Sequence, residues 1–205
     1  MTDFDGVIFD MDGTLVEPLL DFAAIRAELG VAAEQGILEA IAAMPADRAA
    51  ECNRLLLAHE VSAARQARLL GGAAETLAAL RAAGLKTALL TRNSGEALAI
   101  VLRRFALPLD LAWSREHGPI KPQPDGVLRA CRLLKLAPAR TACVGDFRYD
   151  LQAANAAGAV SVLLARGVRP AFAHLARHVI AELSELPGVL GIAAEPAVQM
   201  PPRGK

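Results

Sequence analysis

The chain of 205 residues is long enough for one large domain, or for a core that carries a modest insertion. Its 22 basic and 22 acidic residues sum to zero formal charge, which gives no electrostatic support for nucleic acid or an anionic membrane as the main partner. Three cysteines without paired spacing, an acidic start and the lack of any long apolar run predict a cytoplasmic protein rather than a secreted or membrane-spanning one.

The first predicted element is a buried strand over residues 7–9 that is followed by two acidic residues. Its β-branched and aromatic side chains are typical of a strand covered on both faces, and Gly13 lets the chain turn away. Asp10 and Asp12 therefore follow the carboxyl end of the strand, which is where ligands bind in open parallel α/β sheets. For Asp12 and Gly13 alone, a surface turn is the alternative.

The next stretch, residues 16–70, has a helical pattern throughout and no strand pattern. Helices are predicted from Asp21 through residue 29, over residues 37–44, and from Asp47 onward. We interpret the stretch as an all-helical insertion. Gly71 and Gly72 end it, either as a hinge or as a simple break between helices.

From residue 73 onward, predicted helices and strands alternate. The helices cover residues 73–83, 95–105, 124–136 and 151–157, and the strands cover residues 86–90, 109–113, 141–145, 160–164 and 178–180. Such alternation implies right-handed crossovers and a parallel sheet with helices on both faces. We therefore predict a three-layer, Rossmann-like α/β core formed by residues 1–15 and 71–190. Residues 191–205 are predicted to be a loose tail.

Polar residues also follow the second core strand, where residues 91–94 lead into a helix. The hydroxyl of Thr91, the free backbone N–H groups and the helix dipole favour an anion there. Helix capping explains Thr91 or Ser94 equally well. Arg92 is the arginine that we expect to lie nearest to a substrate.

Charged residues occupy two further positions of the same kind. Lys121 lies in a Pro-containing loop before a helix, although an isolated lysine is more often solvated surface. Asp146 and Asp150 follow the buried strand over residues 141–145, and Asp150 alternatively caps the next helix. Each position has an ordinary structural explanation alone, but their order along the chain is informative.

Taken in order, these motifs resemble the pattern of the haloacid dehalogenase-like hydrolase superfamily. The pattern reads Asp-x-Asp-Gly-Thr-Leu, then apolar-Thr, then Lys-Pro, then Gly-Asp-x-x-x-Asp, and it covers residues 4–165. The chain is most similar to the phosphatase subfamily that includes phosphoglycolate phosphatase, in which a helical cap follows the first motif. Residues 16–70 stand where that cap is expected.

The resemblance implies magnesium-dependent hydrolysis of a small phosphorylated metabolite through an aspartyl-phosphate intermediate. Asp10 would be the nucleophile and a metal ligand. Asp12 would be the general acid and base, and its carbonyl would bind Mg²⁺. Asp146 would complete the metal site, and Asp150 would orient a metal-bound group from outside it. Lys121 would neutralise charge on the nucleophile and on the transferring group.

Phosphate oxygens would be held by four residues, again as the resemblance implies: Thr91, Arg92, Asn93 and Lys121. The charges of the motif residues favour a bound cation, independently of the resemblance. Four carboxylates and one ammonium sum to minus three, and such a pocket would repel phosphate and raise carboxylate pKa values. A divalent ion removes this conflict, and hard oxygen donors favour Mg²⁺ over softer metals.

Asp12 separates the activities that this fold supports. A halide leaving group needs no proton, and the dehalogenases usually lack an acid at this position, so phosphate-ester hydrolysis ranks above dehalogenation. Phosphoryl transfer to a sugar, as in a phosphosugar mutase, is a smaller alternative.

Two other classes of protein stay open, namely a phosphoacceptor switch domain, which would lack so large an insertion, and a non-catalytic binding protein. The sequence leaves monomer or homodimer undecided.

Overall fold

The computed structural model describes residues 2–192, and its centre is a six-stranded sheet. The strands are β1 (Gly6–Phe9), β2 (Lys86–Leu90), β3 (Leu111–Trp113), β4 (Thr141–Gly145), β5 (Val160–Leu164) and β6 (His178–Ile180). They lie in the order β3-β2-β1-β4-β5-β6, and every neighbouring pair is parallel. The predicted Rossmann-like sheet is confirmed. Its order puts β1 between β2 and β4, so three of the polar strand ends are adjacent.

Helices cover both faces of the sheet. They are α1 (Phe22–Leu29), α2 (Ile37–Ala42), α3 (Ala46–Gln66), α4 (Ala73–Ala82), α5 (Gly95–Phe105), α6 (Asp125–Leu134), α7 (Arg148–Ala156) and α8 (Leu186–Val189). Val7 and Phe9 of β1 pack in one buried cluster with α4 and α5, while Ile8 packs in another with α6 and α7. Because both faces of β1 are buried, its run of apolar residues is continuous rather than alternating.

Helices α1, α2 and α3 share an apolar cluster of their own. Ile25 of α1, Ile41 of α2 and Leu56 of α3 belong to it. The C-terminal half of α3 instead joins the main core, where Ala64 packs in the same cluster as Leu98 of α5. The long helix α3 therefore connects the small cluster to the sheet domain.

The chain enters and leaves this helical region at one place. Val16 forms an antiparallel bridge with Leu69, and the backbone N–H of residue 70 donates to the carbonyl of Leu15 at 2.9 Å. Gly72 then precedes α4 with a φ of +81°, a conformation that favours glycine. The position of Gly72 is that of a helix start, and the hinge proposed for it stays a prediction.

Several element boundaries differ from those predicted. Helix α3 begins at Ala46 rather than residue 47, and α2, β3 and α6 are shorter than predicted. Helix α7 begins at Arg148, three residues early, because the carboxylate of Asp150 accepts from the N–H of Phe147 and so caps the first turn from within. Leu190 after α8 is buried in the main core. Residues 193–205 of the predicted tail lie outside the described residues.

Within residues 2–192, no helix has both the length and the apolar character that a membrane crossing requires.

Candidate active site

Asp10 and Lys121 form an ion pair at the carboxyl end of the central strand. The N–H of Asp10 donates to the carbonyl of Val144 at 2.9 Å, so the hydrogen bonding of the sheet continues up to this residue. The Nζ of Lys121 lies 2.5 Å from Oδ1 of Asp10 and 2.6 Å from Oδ1 of Asp150. Lys121 is buried, so its alternative interpretation as solvated surface is wrong.

The charge of Lys121 is maintained by these two carboxylates. Burial acts to lower the pKa of Lys121, but the opposing effect of Asp10 and Asp150 is larger, and its pKa is raised. The lysine is therefore an ammonium ion at neutral pH. Burial has the opposite effect on Asp10, whose pKa is raised in spite of the nearby ammonium.

Asp12 is held by an amide rather than by a cation. Nδ2 of Asn93 donates to Oδ2 of Asp12 at 2.7 Å. Burial, followed by the charges of Asp10, Glu60 and Asp146, raises the pKa of Asp12 to about 7. A carboxyl group with this pKa gives up and takes back a proton readily near neutral pH.

Three carboxylates, including that of Asp10, converge near Asp12. Oxygen atoms of Asp10, Asp146 and Asp150 lie within 4.8 Å of one another. A Cβ on Gly13 would lie 1.9 Å from Oδ2 of Asp146, so the close approach of that carboxylate requires a glycine. Burial, with the charges of Asp10 and Asp150, raises the pKa of Asp146 to about 7.

The chemistry of this group fits Mg²⁺. The donors are hard carboxylate oxygens. Their negative charges repel one another, and a divalent cation would neutralise them. Both oxygens of Asp150 already have protein partners, namely Lys121 and the N–H of Phe147. These bonds favour the role outside the metal site that the resemblance implies for Asp150, and that role stays a prediction.

The loop after β2 lies next to Asp12. Thr91 is buried, and its Oγ1 accepts from the N–H of Asn93 at 3.1 Å. Ser94 caps α5 by accepting from the N–H of Ala97 at 3.3 Å. The capping alternative therefore applies to Ser94, while Thr91 lies at the open end of β2 before the N-terminus of α5.

Arg92 lies at the contact between the helical region and the sheet domain. Its Nη2 is 2.7 and 2.8 Å from the two carboxylate oxygens of Glu39 on α2, and its guanidinium lies over the ring of Tyr149. A second nitrogen donates to the carbonyl of Lys121. Its predicted contact with a phosphate group stays a prediction.

A cavity of about 490 Å³ connects these residues. Its floor contains all the predicted site residues: Asp10, Asp12, Thr91, Arg92, Asn93, Lys121, Asp146 and Asp150. The helical region also lines the cavity. It contributes the apolar residues Leu20, Phe22, Ile37, Leu38 and Leu56 and the polar residues Arg26, Glu34, Gln35 and Glu60. A volume of this size is in the range of small-molecule sites, roughly 300 to 1,000 Å³.

The sequence interpretation missed Glu60, a charged residue that lines the same cavity. It lies on α3 and is only 3% exposed. Leu56 and Ala64, four residues before and after it, are also buried. Helical spacing therefore placed Glu60 on the buried face of α3, which was the available indication that this acid has a specific partner.

The raised carboxyl pKa values predict an unusual dependence of stability on pH. Without Mg²⁺, the free energy of unfolding should fall as pH rises from about 4 to 7. The reason is that Asp12 and Asp146 bind protons more tightly in the folded protein, where their pKa values are about 7, than in the unfolded chain, where the ordinary value is 3.8. Millimolar Mg²⁺ should raise the melting temperature, and most strongly above pH 7, where the carboxylates are already deprotonated.

Thermal melts from pH 4.5 to 8.5, with EDTA or with Mg²⁺, measure this effect. In Asp146→Asn we expect a flatter profile with EDTA and a smaller gain from Mg²⁺. A gain from Mg²⁺ that is equal at all pH values, or stability that rises across this range in EDTA, would contradict the prediction.

Comparison with known proteins places the chain among relatives of one kind. The profile of the haloacid dehalogenase-like hydrolases matches residues 4–158. A haloacid dehalogenase-like hydrolase domain-containing protein of Arabidopsis thaliana is 34% identical over 171 residues, which cover 78% of this chain and 70% of that protein. A phosphoglycolate phosphatase of Escherichia coli is 32% identical over an aligned stretch that covers 80% of this chain and 82% of that protein.

Solved structures with a similar fold include proteins of the same kind. The crystal structure of a predicted phosphoglycolate phosphatase from Haemophilus somnus aligns with a TM-score of 0.73 over 92% of this chain and 99% of that chain, at 23% identity. The predicted fold, and the prediction of an enzyme of the hydrolase class, are both confirmed. On the match over residues 4–158 and the order of its four motifs, the chain belongs to the haloacid dehalogenase-like hydrolase family.

Proposed function

We propose that the protein is a magnesium-dependent phosphatase that hydrolyses monoesters of small metabolites through an aspartyl-phosphate intermediate. The observation that carries the proposal is the pairing of Asp10 with a buried lysine, 2.5 Å away, next to a second carboxyl group, that of Asp12, which the amide of Asn93 holds at 2.7 Å. Lys121 favours the charged form of Asp10, which is the form that attacks, and Asp12 is free to exchange protons.

In the first step, a carboxylate oxygen of Asp10 attacks phosphorus in line with the ester oxygen. The new bond joins Asp10 to phosphorus while the ester P–O bond breaks, and Asp12 gives its proton to the departing alkoxide. The hydroxyl of Thr91 holds a phosphate oxygen, and Lys121 stabilises the charge of the transferring group.

The second step regenerates the enzyme. Asp12, now ionised, takes a proton from a water molecule that attacks phosphorus, and the bond to Asp10 breaks to release inorganic phosphate. Asp10, Asp146 and the main-chain carbonyl of Asp12 would hold Mg²⁺, which supplies charge neutralisation for the phosphate group. Asp12 also favours this reaction over dehalogenation, because a halide leaves without a proton.

Residues 16–70 act in this proposal as a cap that closes over the substrate and excludes water. The apolar residues that they add to the cavity support this role, as does the meeting of their two ends, where the N–H of Leu70 donates to the carbonyl of Leu15. The substrate is a small phosphorylated metabolite, in keeping with the phosphoglycolate phosphatase relatives. The three buried free cysteines suit a reducing compartment such as the cytoplasm.

The test is a panel of phosphate monoesters assayed for phosphate release with Mg²⁺ and with EDTA. We expect hydrolysis of 4-nitrophenyl phosphate and of at least one metabolite, lost in EDTA and restored by excess Mg²⁺. The panel should pair 2-phosphoglycolate with esters of larger, partly apolar alcohols, because the cavity of about 490 Å³ exceeds what a two-carbon acid fills. Absence of turnover across the panel would contradict the proposal and favour a switch or binding protein.

A further inference from the structure

A buried ion pair outside the four motifs holds the loop that carries Thr91 and Asn93. Oε1 of Glu60 accepts from Nη1 of Arg115 at 2.5 Å, and Oε2 accepts from the backbone N–H of Ser94 at 3.1 Å. Both carboxylate oxygens of this 3%-exposed residue are thus in use. A buried charge with a complete set of partners holds those partners firmly, because loss of either one would leave the charge without its hydrogen bonds.

Arg115 holds the same loop through two further bonds. Its side chain donates to the carbonyl of Arg92 at 3.2 Å, and its backbone N–H donates to the carbonyl of Asn93 at 3.1 Å. Together with the bond from Glu60 to Ser94, the pair engages a main-chain group of each of three successive residues. The place of the Asn93 side chain is therefore set by Glu60 and Arg115.

Asn93 connects this loop to the proton-transfer group. Its Nδ2 lies 2.7 Å from Oδ2 of Asp12, and its N–H donates to Thr91. We propose that Glu60 and Arg115 are positioning residues, which fix residues 92–94 so that Asn93 holds the carboxyl group of Asp12 where the leaving oxygen must be protonated. This inference rests on the proposed function, since it requires Asp12 to be the general acid.

The other ion pair between the helical region and this loop differs in exposure. Glu39, which binds Arg92, has a side chain that is 48% exposed, and such a pair contributes little and exchanges readily with water. It is therefore expected to hold the loop less firmly than the pair of Glu60 and Arg115 does. The helical region thus contacts the loop through one firm pair, from α3, and one weak pair, from α2.

Glu60→Gln tests the inference, because it keeps the shape of the side chain but replaces one acceptor oxygen by a donor. We expect kcat/KM for an alkyl phosphate to fall by about 10- to 100-fold, as misplaced catalytic groups cause, and that for 4-nitrophenyl phosphate by less than about 3-fold. The activated ester needs no proton as it leaves. A variant that only unfolds in part would lose both activities by the same factor.

Two further measurements keep the test decisive. In an Asn93→Ala background, Glu60→Gln should add little to the loss for the alkyl ester, because the connection to Asp12 is already broken. Arg115→Lys retains the charge opposite Glu60 but offers fewer hydrogen-bond donors. We expect it to cause an intermediate loss of activity with the same dependence on the leaving group. This variant replaces Glu60→Gln if the Glu60→Gln protein does not fold.

The matched control is Asp5→Asn, which breaks the exposed pair with Arg140 and should leave both activities unchanged. Equal losses for the two esters in Glu60→Gln, or full additivity with Asn93→Ala, would overturn the positioning role while the phosphatase activity of the wild-type protein still stood. Absence of hydrolysis by the wild-type protein would instead contradict the proposed function itself.

Discussion

Replacement of Asp10 by asparagine is expected to abolish turnover while the protein stays folded. A carboxamide cannot form the phosphate bond, so kcat should fall by roughly 10⁴- to 10⁶-fold, the scale seen when a covalent nucleophile is removed from a hydrolase. The fold should persist, because the amide oxygen still accepts a hydrogen bond from Lys121. Phosphate release with Mg²⁺ and a thermal melt of the same sample measure the two expectations.

The control for this variant lies at the other end of the same strand. Asp5→Asn makes the same chemical change just before β1, in the exposed pair with Arg140, and should retain wild-type activity. Trapping with ³²P-labelled substrate followed by acid quench should find label on wild-type protein and none on Asp10→Asn. Near-normal activity in Asp10→Asn would remove this residue as the nucleophile.

Asp12→Asn should make the reaction strongly dependent on the leaving group. General acid catalysis contributes roughly 10²- to 10⁴-fold, so kcat/KM for an alkyl phosphate should fall by that factor. The value for 4-nitrophenyl phosphate should fall by less than about 10-fold, because nitrophenolate leaves without a proton. The ratio kcat/KM is the measure of choice because it reports steps up to the release of the alcohol and not the later attack of water.

The second step supplies an independent check on Asp12. Without a base to activate water, Asp12→Asn should release a rapid burst of one nitrophenolate per enzyme and then turn over slowly. The wild-type enzyme should show a smaller burst, because its phosphoenzyme hydrolyses faster. If alkyl and activated esters lost the same factor and no burst appeared, the role of Asp12 as proton shuttle would be wrong.

The sheet was predictable because its determinants are local. Residues 7–9 form a continuous apolar run between polar ends, and Gly84 and Gly158 end two of the helices, so periodicity and glycine positions indicated the strands and the helices between them. Helix α8 was not predicted. Boundaries were less predictable, since they depend on side-chain bonds such as that from the N–H of Phe147 to Asp150. That bond starts α7 three residues before its apolar pattern begins.

The site was predictable to the extent that its residues follow strands. Asp10, Asp12, Lys121 and Asp146 lie around one cavity, as the parallel topology led us to expect. Asn93 was assigned to phosphate, and the structure shows that its amide binds Asp12. The chemical roles of these site residues stay predictions.

Contacts that depend on tertiary structure were not predictable. The bond between Glu60 and Arg115 joins residues 55 positions apart, on elements whose relative placement no local pattern encodes. Glu39 and Arg92 are likewise 53 positions apart. Long-range pairs of this kind follow from how α2 and α3 lie against the loop after β2, and only the folded structure provides that.

The bridge between Val16 and Leu69 makes the helical region a closed loop whose two ends meet. A segment with this property can be lengthened or replaced at little entropic cost, because the entropy lost on joining its ends grows only slowly with its length. If the helical region is the cap of the proposed function, a different set of helices grafted at these positions is expected to change substrate selection without rebuilding the sheet. The graft would need to retain the second half of α3, because Glu60 and the core contact of Ala64 lie there.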